Sequence, residues 1–131
     1  MNNNACSVLI IDDDRDILMT LTAYLEDSGY VVYGAFDGEE GLKVFAQKKP
    51  DIVVTDLRMP RLDGFGVVAA IKARNPATEV IAVTGTAERH ASEQIQSLGA
   101  FCCLYKPLHD LQDLVAAIEK ALHKTGKGVS Q

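Results

Sequence analysis

The sequence predicts a three-layer α/β domain, a doubly wound (βα)5 unit with a five-stranded parallel sheet in the order 2-1-3-4-5. Three observations predict it. Five short apolar runs alternate with five segments of helical period. The runs are rich in Val and Ile and mostly continuous, which suits parallel strands covered on both faces. The length, 131 residues, fits one domain and leaves little room for a second. Right-handed crossovers then imply winding on both faces, and 2-1-3-4-5 is the common order at this size.

The predicted strands are residues 7–11, 30–35, 51–55, 79–84 and 100–105. The first helix carries Ile17, Leu18, Leu21, Tyr24 and Leu25 on one stripe, with Gly29 placed for a C-terminal cap. Asp37 and Glu40 read as a capping box opening the second, through Leu42 and Phe45. The third runs over about 64–74 and stops before Pro76. The fourth, about 87–98, has the thinnest stripe (Ala91, Ile95, Leu98) and ends at Gly99. Asp110 opens the fifth, with Leu111, Leu114, Val115, Ile118 and Leu122 on one face.

Composition excludes several classes. A net charge of −5 leaves no basic face for direct nucleic-acid binding. The apolar run Val8–Ile11 is too short for a signal peptide and far too short to span a bilayer, so the expected compartment is the cytoplasm, with no membrane partner. Cys6, Cys102 and Cys103 have no metal-ligand spacing and read as reduced, buried, small apolar residues.

In sheets of this kind ligands bind beyond the carboxyl ends of the strands, at the switch point between strands 1 and 3. Strand 1 ends in Asp12-Asp13-Asp14, strand 3 in Asp56, strand 4 in Thr84 and strand 5 in Lys106-Pro107. Neighbouring strands lie about 4.8 Å apart, so carboxylates ending strands 1 and 3 can share a metal ion. Lys106 starts roughly 10 Å from Asp56, a gap its stem largely covers. Clustered carboxylates repel, and a divalent cation such as Mg²⁺ removes that cost. A phosphoryl group arriving on an Asp oxygen needs that metal and a cation such as Lys106 to neutralise it, and a hydroxyl such as Thr84 to bond it.

Together, Ile-Ile-Asp-Asp-Asp (10–14), Thr-Asp-Leu-Arg-Met-Pro (55–60), Asp-Gly (63–64), Val-Thr-Gly (83–85) and Tyr-Lys-Pro (105–107) make the chain resemble a bacterial two-component response-regulator receiver domain over nearly its whole length. The resemblance implies a flavodoxin-like domain over residues 5–124, with residues 125–131 a flexible tail or linker. It implies that Asp56 is the phosphoacceptor, that Thr84 moves toward the phosphoryl group, and that Lys106 pairs with it. It implies Mg²⁺ held by Asp13 directly, Asp12 largely through water, Asp56, and the backbone carbonyl of Arg58. It also implies a Lys106–Pro107 bond that is often cis. The implied donor is a phosphohistidine on a sensor histidine kinase or a histidine phosphotransfer protein. The implied readout, to an output domain or a homodimer, runs through helix 4, strand 5 and helix 5. No small-molecule product is expected, only self-catalysed phosphoryl transfer and hydrolysis.

Two departures from the family's habit stand out. Cys103 stands where Tyr or Phe is usual, and strand alternation suggests Tyr105 or Phe101 as a substitute on the same side. Arg58 and Thr86 occupy positions that flank the phosphoryl group and tune its hydrolysis. Bland roles suffice elsewhere: Asp14 caps the first helix, Asp16 is a first-turn acid, Asp63 a turn residue, and His90, His109 and His123 are solvated.

Rival functions fit less well. A haloacid-dehalogenase-type phosphatase would need Thr or Val where Asp16 stands and an acidic Gly-Asp pair after Lys106. A calcium loop fails at Ile17 and Ala23, where Gly and Glu are required. No Gly-rich nucleotide loop is present. The strongest rival is a receiver-like interaction module that switches without phosphate.

Overall fold

A computed structural model describes residues 5–85, 90–108 and 110–125. Five strands, β1 (Ser7–Ile11), β2 (Val31–Ala35), β3 (Ile52–Asp56), β4 (Glu79–Gly85) and β5 (Cys102–Lys106), alternate with five helices. These are α1 (Arg15–Asp27), α2 (Gly38–Lys48), α3 (Gly64–Arg74), α4 (Ala91–Ser97) and α5 (Gln112–Thr125). The sheet is parallel throughout, in the order β2-β1-β3-β4-β5.

Successive strand residues point to opposite faces, which divides the core in two. Val8, Ile10, Val54 and Ile81 meet α1 and α5 through Leu18, Leu25, Leu114 and Ile118. Leu9, Ile11, Val53 and Val80 meet α2, α3 and α4 through Phe45, Val67, Ile71 and Ile95. Each such fully buried aliphatic side chain contributes about 1.5–3 kcal/mol. The middle strand β3 is buried at all five positions, as its place between two neighbours requires.

The helix ends follow their side chains. Asp14 caps α1 by accepting from the N–H groups of Asp16 and Ile17. Asp37 caps α2, its Oδ1 2.7 Å from Glu40 N, but Glu40 bonds the N–H of Phe36 at 2.8 Å, one residue before the position a capping box implies. Asp63, expected in a turn, caps α3 by accepting from Gly66 N at 3.0 Å. Gly29 (φ +99°) and Gly99 (φ +112°) end α1 and α4 in the left-handed region open to glycine.

Several boundaries shift. β5 begins at Cys102, two residues later than expected, because Ala100 N still bonds Ile95 O of α4. β3 runs one residue further, through Asp56, which pairs with Val83 of β4. α4 runs over Ala91–Ser97, with His90 and Leu98 at its ends; residues 87–89 of the expected span lie outside the described residues, as do Thr86, His109 and residues 126–131 of the expected tail. None of the three cysteines is in a disulfide, and each is half-buried rather than buried. His90 and His123 are exposed, as expected. Among the described residues no helix is long and apolar enough to cross a membrane.

Gly64 joins the loop after β3 to α3 at a point with no room for a side chain. A Cβ there would lie 2.3 Å from Asp56 O and 2.7 Å from Leu57 Cα, both backbone atoms. Gly64→Ala is therefore expected to cost about 1–3 kcal/mol, read as a lower midpoint in urea-induced unfolding. An unchanged midpoint would mean that this junction yields freely.

Candidate functional site

The register lines up the carboxyl ends of the central strands. Ile11 of β1 lies opposite Thr55 of β3, so Asp12 and Asp56 leave the sheet side by side. On β4, Val83 lies opposite Asp56; on β5, Tyr105 lies opposite Thr84 and Lys106 opposite Gly85. Strand pairing thus brings residues 12, 56, 84 and 106 to one rim.

At that rim Asp12, Asp13 and Asp56 each offer a carboxylate oxygen, and these oxygens all lie within 4.8 Å of one another. Asp12 and Asp56 are buried while Asp13 is exposed, so the cluster opens to solvent on one side. Backbone donors orient two of the three. Asp14 N donates to Asp12 Oδ1 at 2.9 Å, and Arg58 N donates to Asp56 Oδ1 at 3.2 Å. Arg58 itself is exposed, two residues past the acceptor.

Lys106 reaches across the end of β4. Its Nζ lies 2.9 Å from Asp56 Oδ2 and 3.1 Å from Asp12 Oδ2. Burial alone would lower the ammonium's pKa, but its hydrogen bond to Asp56 and the charges of Asp12 and Asp56 outweigh it, leaving the pKa above the usual lysine value. Burial likewise pushes the Asp12 carboxyl up, against the Asp14 N–H and the Lys106 charge, and Asp56 pushes it further, so it ends above its ordinary value. One ammonium therefore leaves the negative charge incompletely balanced. An all-oxygen donor set in that condition fits a hard divalent cation.

Thr84 is fully buried, and its Oγ1 has no hydrogen-bond partner among the described residues. Thr78 Oγ1, just before the other end of β4, is in the same state. An unpaired buried hydroxyl costs about 1–3 kcal/mol.

Asp12, Asp13, Asp56, Thr84 and Lys106 come together at this rim, with Arg58 two residues past Asp56, while Thr86 lies outside the described residues. The Lys106–Pro107 bond is cis. Of the two aromatic substitutes, Tyr105 lies beside Cys103 and Ser92 of α4, on the side expected. Phe101 does not share it. It precedes β5, so strand alternation does not reach it, and it packs into the α1–α5 side with Lys124 Nζ 5.8 Å from its ring, whereas Cys103 packs on the other face. Sequence reasoning passed over Arg61, which pairs with Asp37 at 3.0 Å and with Glu39 at 3.6 Å. No local pattern could signal a contact spanning 24 positions.

A flavodoxin-like sheet carrying an acidic pocket and a lysine at its switch point defines a class of regulatory signalling domain. Comparison with known proteins agrees. The response regulator receiver domain model matches residues 8–119, and the chain belongs to that family. The transcriptional regulator PdtaR of Mycobacterium tuberculosis is 35% identical over 118 residues, 89% of this chain and 57% of its own length. The DNA-binding transcriptional regulator NtrC of Escherichia coli is 35% identical over 115 residues, 88% of this chain but 24% of its own. The chain thus spans between a quarter and somewhat over half of these relatives. A receiver-domain crystal structure from Clostridium thermocellum superposes with a TM-score of 0.88 at 34% identity, covering 92% of this chain and 97% of that one. The CheX–CheY–BeF3–Mg²⁺ complex from Borrelia burgdorferi gives 0.83 at 25% identity, with 89% of each chain covered.

Thr84→Val replaces the unpaired hydroxyl with a methyl group of the same shape. In the unphosphorylated protein it is expected to be neutral or to stabilise by up to about 1 kcal/mol, read as an unchanged or higher urea midpoint. A clear loss of stability would show that the hydroxyl is bonded in solution.

Proposed function

We propose that the domain takes a phosphoryl group from a phosphohistidine onto Asp56 and changes its partner contacts as a result. The observation that carries this reading is a single rim where three carboxylates converge, a lysine bonds two of them, and a buried hydroxyl has no partner among the described residues.

Asp12, Asp13, Asp56 and the backbone carbonyl of Arg58 would hold Mg²⁺, the ion named with the Borrelia complex. When bound, it would supply positive charge to the transferring phosphoryl oxygens. The chain's own groups do the rest. An Asp56 oxygen forms a bond to phosphorus as the bond to the histidine nitrogen breaks, and the imidazole leaves. Arg58 N–H, already on Asp56 Oδ1, holds the carboxylate's orientation. Lys106 exchanges a carboxylate oxygen for a phosphoryl oxygen without changing its charge. Thr84 gains the bond it lacks, and this differential contact favours the phosphorylated conformation. Tyr105, opposite Thr84 in the sheet, and the Cys103 thiol stand on β5 beside Ser92 of α4, within the readout surface formed by α4, β5 and α5.

The donor is a sensor histidine kinase or a histidine phosphotransfer protein. A largely apolar cavity of about 540 Å³ beside Lys106, lined by Ile17, Leu21, Pro107 and Leu111 among others, gives such a protein a surface to dock on. The output is an attached domain or a second copy of the chain. The domain catalyses its own phosphorylation and slow hydrolysis and releases no small-molecule product of its own. Its place is the cytoplasm, where such kinases present their phosphohistidines.

Incubation with acetyl phosphate and Mg²⁺ is expected to add the mass of one phosphoryl group, detected by intact-mass spectrometry. The gain should vanish with EDTA or in Asp56→Asn. No gain in the wild-type chain would leave the phosphate-independent interaction module in its place. Arg58 stands exposed two residues past the acceptor, where its side chain can screen the acyl phosphate from water. Arg58→Ala is therefore expected to shorten the aspartyl-phosphate lifetime, followed as loss of the added mass with time; an unaltered decay would remove Arg58 from that role.

A further inference from the structure

We infer that Arg61 is a positioning residue for the phosphoacceptor pocket, holding the loop after β3 against the first turn of α2. The inference rests on the functional reading above and deepens it.

The loop of residues 57–63 has two ends of different character. Near β3 it is fixed from inside: Leu57 and Met59 are buried, and Leu57 O accepts from Gly64 N at 3.0 Å. Further on, beyond the buried Met59, Pro60 and Arg61 are exposed. Arg61 nevertheless sits at φ +67°, a left-handed conformation that side-chain-bearing residues seldom adopt and that glycine would adopt without strain. A strained arginine where glycine would fit implies a side-chain contact that holds it.

That contact is a clamp onto α2. Arg61 Nη2 lies 3.0 Å from Asp37 Oδ2, and its Nε 3.6 Å from Glu39 Oε1. Asp37 uses its other oxygen, Oδ1, to cap α2 through Glu40 N. One carboxylate therefore fixes a helix start and a neighbouring loop together. The backbones are in direct contact at the same place: a Cβ on Gly38 would come within 2.5 Å of Leu62 O. From the other side the guanidinium of Arg15, at the start of α1, stacks 4.3 Å from the Phe36 ring, next to Asp37. The loops after β1, β2 and β3 are thus linked in series around the rim.

The link matters because of what the clamped loop carries. Arg58 N orients the Asp56 carboxylate, and the Arg58 carbonyl is the expected backbone ligand of the metal. Releasing residue 61 loosens the outer half of the loop that carries residue 58, so the clamp acts on the pocket without touching it.

The test uses the whole chain and two substitutions that preserve the fold. Arg61→Gly removes the clamp while suiting the left-handed backbone, and Asp37→Asn removes the charge while keeping a side chain that caps well. Mg²⁺ affinity is measured by titration calorimetry, the Arg58 amide is followed by ¹⁵N–¹H correlation spectra without metal, and melting temperature serves as the fold control. Each variant is expected to weaken Mg²⁺ binding about threefold to tenfold, and the double variant no more than either alone, because both cut one contact. Arg61→Lys, with one donor group left, should fall between. The Arg58 amide should shift in all of them while the melting temperature holds. Unchanged affinity and an unmoved Arg58 amide, in variants of a wild-type chain that does bind Mg²⁺, overturn this inference alone. So does a loss confined to Arg61→Gly with Asp37→Asn unaffected, since that would make the charge of Arg61 act directly. A wild-type chain that binds no Mg²⁺ overturns the functional reading and this inference with it.

Discussion

The position of the Lys106 ammonium between Asp12 and Asp56 is the constraint on which the rest of the site depends. Two buried carboxylates on adjacent strands cannot both stay ionised at this range without a cation between them. Lys106 supplies one, at 2.9 and 3.1 Å, from two strands away. Its reach works only because β4 lies between β3 and β5 and ends with small residues, Thr84 and Gly85, beneath the lysine's path. A third carboxylate, Asp13, then stands at the open side with no such partner among the described residues, and the pocket keeps a surplus of negative charge facing solvent. Such an all-oxygen surplus suits a hard divalent cation.

The two faces of the sheet divide the labour. On the α1–α5 side, aliphatic packing from Val8 to Leu122 fixes the strands whose ends make the pocket. On the other side, Cys103, Tyr105 and Ser92 connect β5 to a helix with only two buried residues in its described span. A helix so lightly anchored opens at lower cost than the tightly packed face, and Thr84, fully buried and unbonded among the described residues, lies opposite Tyr105 in the adjoining strand. Cys103 fits this division: a half-buried thiol occupies less space than an aromatic ring and leaves Tyr105 to span the distance to α4.

Much of this was legible in one dimension. Val- and Ile-rich runs spaced by amphipathic segments announced five βα units, because strands buried on both faces leave no polar alternation. Asp14, Asp37 and Asp110 announced helix starts, because a carboxylate before an apolar stripe meets unpaired N–H groups. Asp12, Asp56, Thr84 and Lys106 were legible together because strand ends in a doubly wound sheet converge by construction. Where expectations missed, tertiary contacts had overridden the local pattern. The loop residue Asp63 became a cap when α3 began immediately after it. Phe101 left the alternation of β5 because the chain was still turning out of α4. The cysteines, small enough for the interior, stopped half-way at its margin.

The sequence by itself determined the fold class, the order of the elements and the identity of the residues at the rim, since hydrophobic period and strand-end position are local properties of a chain. Tertiary structure alone decided how those residues meet: which oxygens Lys106 takes, that Thr84 is buried with no partner among the described residues, and that Arg61 closes on Asp37 across 24 positions. Distances between side chains on separate elements depend on register, rotamer and the neighbours' volume, and no linear pattern encodes these.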